Sequence, residues 1–283
     1  MKRWMGWMSG ASFLVGLIAA WPTRALDAPT HIELYALDGG RLELPDMSMF
    51  SDTGEFDGKS GKLAVPAFLI RHPKGTLLWD TGLSDALAKS GGATMPNGIK
   101  MTVEKSVIGQ LAEIGLAPKD VQYVAFSHLH GDHTGNANAF TSAQWIVSKK
   151  ELAWARSKPT PGGVDLKTIS ALTPGKQLSD DFDHDVFGDG RVRILRAPGH
   201  TPDHRVLLLK LDKAGTTVLS GDLYHTREAA QHGLVPMFNV SRADSLASFD
   251  RVSKLIKQNN ARLIVQHVPE DFASLPKFPA HLE

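Results

Sequence analysis

The chain of 283 residues contains no cysteine. Disulfides are therefore excluded, and so are thiolate metal ligands. Any metal must be held by histidine, aspartate or glutamate, and stability must come from the core. A charge excess is missing too: 31 lysines and arginines face 30 acidic residues, with no Lys/Arg run. Such a balance gives no electrostatic footprint for nucleic acid. Tandem repeats and low-complexity tracts are also absent. What is present, 42% hydrophobic and 22% charged residues, is the composition of a soluble globular protein with ample length for a core.

The N-terminus reads differently from the rest. Lys2 and Arg3 precede an apolar segment from Ser9 to Trp21, followed by Pro22-Thr23-Arg24-Ala25. This is the pattern of a secretory signal peptide, residues 1–25, leaving a single mature domain of residues 26–283 in the periplasm or outside the cell. The run from Trp4 to Trp21 is at the short limit for a membrane span and carries Gly6, Ser9, Gly10 and Ser12, so no stable anchor is expected after cleavage. Cleavage removes Lys2, Arg3 and Arg24 and no acid. That takes 31 basic residues to 28 against 30 acidic ones, a formal balance of −2.

The chain is organised around Ser127-His128-Leu129-His130-Gly131-Asp132-His133-Thr134. The stretch follows Val121 to Phe126, whose β-branched and aromatic content predicts a buried strand. In extended chain, side chains two apart share a face, so His128 and His130 should point the same way. Gly131 is expected to turn the backbone through a positive φ, and Thr134-Gly135-Asn136 to start a short helix. A lone histidine is ordinarily a surface or hydrogen-bonded residue. Three imidazoles and a carboxylate within six residues instead call for a divalent metal, most simply zinc.

Strands are expected over 31–37, 64–72 and 76–80, the last two joined by a turn at Pro73-Lys74-Gly75. Leu44 to Phe50 reads as a loop whose Met47, Met49 and Phe50, with Phe56, either pack on their own domain or line a groove for an apolar substrate tail. Gly91-Gly92 and Pro96-Asn97-Gly98 mark a flexible insertion. Apolar residues at three- and four-residue spacing predict a helix over 102–115. Beyond the His-rich stretch come a strand over 143–147 and a helix over 149–156. A short helix between loops at 159–163 and 172–175 should then cover the site. The acidic segment 180–189, interrupted by His184, reads as solvated turn. Strands follow over 191–196, 205–211 and 216–220, then a helix over 244–259 and a strand over 262–268. His31, His72, His232 and His281 carry no motif and are expected at or near the surface, and His204 as a structural partner of its loop.

Four separate strand ends thus each deliver metal-type residues: the 128–133 stretch, His200 behind Ala197-Pro198-Gly199, Asp222 behind Gly221, and His267. Order and character resemble the metallo-β-lactamase superfamily across nearly the whole mature chain. The resemblance implies an α/β fold, an αββα sandwich of two mixed sheets flanked by helices. It also implies two divalent metal ions, most simply Zn²⁺. His128, His130 and His200 would hold one, Asp132, His133 and His267 the other, and Asp222 would bridge them. Asp80, in Asp80-Thr81-Gly82, would lie behind the ligand histidines and orient a ring.

Within the superfamily, residues 127–136 with Ala139-Phe140, Leu78-Trp79-Asp80-Thr81-Gly82 and residues 197–204 resemble the N-acyl-homoserine lactonases. That family's tyrosine, three residues after the bridging aspartate, aligns with His225, with Tyr224 one place earlier. Gln266 and Val268 also depart from the usual Gly-His-Asp around His267. The resemblance implies a quorum-quenching lactonase in which hydroxide shared by the two metals attacks the lactone carbonyl. His225 or Tyr224 would donate to the oxyanion, and Asp132 would pass a proton to the leaving alkoxide. Alternatives keep the site and change the chemistry: phosphotriesters or aryl esters as in organophosphate hydrolases, or a single-iron persulfide dioxygenase. The implied partner is a small acyl lactone or ester. A homodimer is compatible with the sequence, which leaves the oligomeric state open.

Overall fold

Several strands of this chain are apolar on both faces, which forces them into the middle of a layered structure. The computed structural model describes Met1, residues 27–173 and 182–283, and the backbone of 177–178. The expected leader, residues 1–25, lies outside the described residues apart from Met1, as do 174–175 and 180–181. Among the described residues no helix is long and apolar enough to cross a membrane.

In chain order the first elements are β1 (Glu33–Leu37), β2 (Arg41–Leu44), β3 (Gly61–Ala64), β4 (Ala67–His72), β5 (Gly75–Trp79), α1 (Ala86–Ser90), β6 (Ala93–Thr94), β7 (Lys100–Thr102) and α2 (Val107–Glu113). Next come β8 (Tyr123–Ala125), α3 (Gly131–Thr134), β9 (Gln144–Ile146), α4 (Lys149–Ala155), β10 (Gln177–Leu178), β11 (His184–Asp185) and β12 (Val192–Arg196). The chain finishes with β13 (Arg205–Leu211), β14 (Gly215–Leu219), α5 (Arg227–His232), α6 (Arg242–Gln258), β15 (Arg262–Ile264) and α7 (Pro269–Ala273).

One sheet runs β1-β4-β5-β8-β9-β10 and a second β11-β12-β13-β14-β15. They pack face to face: Phe68, Ile70, Leu77 and Trp79 of the first meet Ile194, Leu207, Leu209 and Leu219 of the second. The alternate residues point outward under helices. Leu69, Leu78, Val124 and Trp145 pack on Val107 and Leu111 of α2 and Leu152 and Ala155 of α4, while Leu195, Val206 and Leu208 pack on Phe249 and Val252 of α6. The result is the helix-sheet-sheet-helix order expected. Each fully buried Leu or Phe contributes about 1.5–3 kcal/mol, so this double-sided core dominates stability.

A third, antiparallel sheet, β3-β2-β7-β6, was not expected. It absorbs the presumed insertion, which forms the β6–β7 hairpin, and it takes the front of the anticipated 64–72 strand. Pro66, having no N–H to donate, separates β3 from β4. The helix expected over 102–115 is shortened to α2 because the third sheet takes its first residue. Lys100 to Thr102 pairs with β2, and Ser106 caps the helix by accepting from Gly109 N at 2.8 Å.

Four smaller expectations also change. Gly131 has no positive φ: it opens α3, and His130 precedes it in extended conformation (φ −72°, ψ 156°). The helix therefore starts three residues earlier than expected and contains Asp132 and His133. Described residues 164–173 form turns, without the anticipated helix. In the acidic segment, Asp185 lies in β11 and accepts from the Gly188 and Gly190 amides. His72 is buried, not superficial, because it faces the loop after β11: it stacks on Phe187 at 4.2 Å and bonds Asp189 Oδ2 at 2.9 Å.

Gly135 and Asn136 stitch the turn after β5 to the end of α3. Gly135 N donates to Gly82 O at 2.9 Å, and Asn136 Nδ2 donates to the carbonyls of Thr81 (2.8 Å) and Leu83 (2.7 Å). A β-carbon on Gly135 would lie 2.3 Å from Ser84 N and 2.5 Å from Gly82 O. Gly135→Ala should therefore destabilise the protein by about 1–3 kcal/mol, because backbone must move to admit it. A denaturant midpoint equal to wild type would refute this packing.

Candidate metal centre

Strands β5, β8, β12, β14 and β15 all end at one edge of the two sheets, so the loops behind them meet there. The loop after β8 carries His128 and His130; α3 carries Asp132 and His133. His200 lies in the turn after β12. Its Gly199, at φ +139°, runs against the start of α6 so closely that a β-carbon would lie 2.4 Å from Ser245 N. Asp222 occupies a short 3₁₀ turn after β14. His267 sits in the turn beyond β15, whose paired part is shorter than expected.

Two groups of donor atoms result, each with its members within 4.8 Å of one another: His128, His130, His200 and Asp222, and Asp132, His133 and His267. His200 Nε2 lies 3.1 Å from both His128 Nε2 and His130 Nδ1. Asp222 faces both groups. Its Oδ2 is 3.4 Å from His200 Nε2 and 3.8 Å from His128 Nε2; its Oδ1 is 3.1 Å from His133 Nε2 and 3.0 Å from His267 Nε2. Asp132 Oδ2 stands 3.6 Å from His133 Nε2 and 3.7 Å from His267 Nε2.

Four rings are held from behind at Nδ1. That of His133 meets Asp80 Oδ2 at 2.9 Å, His267 the Ala64 carbonyl at 2.7 Å, His200 the Asn239 Oδ1 at 3.0 Å, and His128 the Ser127 hydroxyl at 3.0 Å. With Nδ1–H donating outward, each ring is oriented with its Nε2 toward the centre. His204 serves the same centre indirectly, accepting from Asp222 N at 2.8 Å.

Protonation follows position. Burial holds His128 and His200 well below the usual imidazole range and His130 at about 4, leaving them neutral. Burial also opposes charge on His133 and His267. There Asp222 outweighs it, joined by Asp132 and, for His133, Asp80, and both are raised. Asp222 is itself buried, yet His267, His133 and His128 hold it well below the usual carboxylate range. The residues fit divalent cations. Among the described residues, buried His133 Nε2 and Asp222 Oδ1 lack hydrogen-bond partners although 3.1 Å apart, and three neutral imidazoles aim lone pairs at one another. A cation in each group satisfies all of them.

The two residues offered in place of the family tyrosine part company. His225 is buried beside the centre, its Nε2 3.0 Å from Asp222 Oδ2 and its ring edge-on to Phe50 and Phe238. Tyr224 is a correction: it points the other way along an extended backbone, packs on Phe249 and reaches Ser253 Oγ at 3.5 Å, inside the core under α6. Several contributors have no local signal in the sequence. Asn239 holds His200 from 39 residues away. Gln266 Nε2 donates to Asp80 Oδ2 at 2.6 Å. Gly163 lies so close to His130 that a β-carbon would be 2.7 Å from its Cδ2.

The model of the metallo-β-lactamase superfamily matches residues 60–267. The chain belongs to that superfamily. It is similar to the N-acyl homoserine lactonase AttM of Azorhizobium caulinodans, 30% identical over 264 residues, which cover 90% of this chain and all of that protein. It is also similar to the N-acyl homoserine lactonase AiiA of Bacillus thuringiensis subsp. kurstaki, 27% identical over 256 residues, 88% of this chain and 98% of that one. Among solved structures, an N-acyl homoserine lactone hydrolase with N-hexanoyl-L-homoserine at its catalytic metal centre aligns with a TM-score of 0.77. It is 27% identical, over 90% of this chain and 100% of that one.

Metal should stabilise this superfamily member, since the folded state alone assembles both groups. At a free concentration 100-fold above Kd, binding stabilises by about 2.7 kcal/mol per site. Chelation should lower the melting temperature and re-addition of Zn²⁺ restore it. An unchanged melting curve, with no metal found by elemental analysis, would count against both sites.

Proposed function

We propose that this protein is a dinuclear zinc lactonase that opens the ring of N-acyl-homoserine lactones. One observation carries the reading. The carboxylate of Asp222 divides its oxygens between two donor groups, and this paired centre borders a cleft of about 810 Å³ with a mixed lining. Met47, Phe56, Leu63, Leu234 and Val268 form its apolar lining, charged side chains such as Lys59, Lys62, Arg227 and Glu228 line the rest, and His225 and His267 reach into it. Such a lining suits an acyl chain whose polar ring rests at the histidines. Similarity to AttM and AiiA over nearly their full lengths supports the same substrate class.

His128, His130 and His200 would hold one Zn²⁺, Asp132, His133 and His267 the other, with Asp222 shared. Bound there, the pair would supply Lewis acidity and a water of lowered pKa. The protein's own residues do the rest. Asp80 fixes the His133 ring through Nδ1. His225, packed against Phe50 and Phe238 and facing the cleft, donates a hydrogen bond to the reacting carbonyl oxygen as charge develops. Asp132, with 22% of its side chain exposed, would take up the proton that the attacking water gives up and pass it to the departing alkoxide. Replacement of the family tyrosine by His225 favours a second reading, phosphotriester or aryl ester hydrolysis at the same centre.

Assayed in parallel, a long-chain acyl-homoserine lactone should be turned over with a higher kcat/KM than a phosphotriester. His225→Phe should lower kcat on the lactone about 100-fold with metal content unchanged. Preference for the phosphotriester would replace the substrate assignment, and unaltered turnover would remove His225 from the reaction.

Residues 1–25 are proposed to direct export, in keeping with Lys2, Arg3 and the apolar run ending before Ala25. The mature protein should begin at Leu26 by mass spectrometry of the exported fraction. An intact Met1 would overturn export by cleavage.

A further inference from the structure

Glu151 lies in the first turn of α4, outside the donor set, and is 3% exposed. Ser148 fixes its place by capping the helix, its hydroxyl accepting from Glu151 N at 3.0 Å. The two carboxylate oxygens are then shared between two loops. Oε1 accepts from Leu129 N at 3.2 Å, and Oε2 accepts from Asp203 N at 3.0 Å. Leu129 stands between His128 and His130; Asp203 stands three residues beyond His200. Asp203 is braced in turn, its Oδ1 accepting from Arg196 Nε at 2.7 Å and its Oδ2 from Arg205 Nη2 at 2.7 Å. A backbone bond from Arg205 N to Ser127 O at 2.8 Å runs alongside.

A buried carboxylate is unfavourable unless hydrogen-bonded, and burial pushes the Glu151 carboxyl up to about 7. A helix that needed only packing here would be better served by an apolar side chain. The arrangement uses what a carboxylate alone offers at this size: two acceptors, aimed at two amides in different loops. We propose that Glu151 is a positioning residue, locking the His128/His130 loop to the His200 loop so that the three imidazoles converge on one metal. The inference rests on the two-metal reading of the site. It predicts an effect confined to one half, because His133 and His267 of the other group are held by Asp80 and the Ala64 carbonyl instead.

Glu151→Gln keeps the size and replaces one acceptor with an NH₂ group that faces an amide N–H. Wild-type, Glu151→Gln and Glu151→Asp proteins, loaded with Zn²⁺, are analysed for metal content and for release to a chelator. Both variants should release one metal equivalent at least tenfold faster than wild type and the other at the wild-type rate. Coupling locates the effect: adding Glu151→Gln to His200→Ala should not speed release beyond His200→Ala alone. Equal acceleration of both equivalents, wild-type release, or failure of both variants to fold would each overturn the assignment. Wild-type protein that binds no metal would instead refute the metal centre itself, so the two failures are told apart.

Discussion

One buried carboxylate joins the pieces on which the rest depends. Asp80 accepts from Ser127 N (2.7 Å), Ser127 Oγ (2.9 Å), His133 Nδ1 (2.9 Å) and Gln266 Nε2 (2.6 Å). These donors come from the loop after β8, from α3 and from the turn after β15, so a single side chain ties the first sheet to the second. Its backbone sits at φ +55°, a left-handed conformation that costs about 1–2 kcal/mol for a residue with a β-carbon. Hydrogen bonds to a charged group are worth about 1.5–3 kcal/mol each, enough to hold that conformation several times over. The turn after β5 is thereby kept where the rings can meet.

Around this anchor the centre concentrates groups that repel or desolvate one another. Three imidazoles are driven neutral by burial, two are drawn toward protonation by the aspartates, and Asp222 stays ionised among them. Folding of the protein portion alone leaves lone pairs converging. Ligand geometry and stability are therefore one problem here: cations relieve the electrostatic conflict that the core enforces. The two-sided apolar sheets supply that force, since their strands cannot separate without exposing Phe68, Trp79, Leu207 and Leu219.

Much of this was legible in the sequence. Apolar runs such as Ala67 to Ile70 and Val206 to Leu209 announce strands buried on both sides, because side-chain alternation disappears when both faces meet core. His128, His130, Asp132, His133, His200, Asp222 and His267 stood out by residue type and by place at strand ends. The third sheet did not, because its strands are short, half-exposed and paired across distances of tens of residues, as β2 is with β7. Nor did the buried place of His72, set by stacking on a loop more than a hundred residues away.

Residue identity and local spacing determined the chemistry available: nitrogen and oxygen ligands without sulfur, strand ends to carry them, and an apolar loop beside them. Tertiary structure alone decided which atoms face which. It split Asp222 between two groups, chose His225 over Tyr224, recruited Asn239 and Glu151 from segments with no motif, and turned Gln266, beside His267, onto Asp80. The physical reason is range. Periodicity reports what a residue does relative to its chain neighbours, whereas a hydrogen bond to a ring nitrogen depends on where a distant loop is delivered by the packing of two sheets.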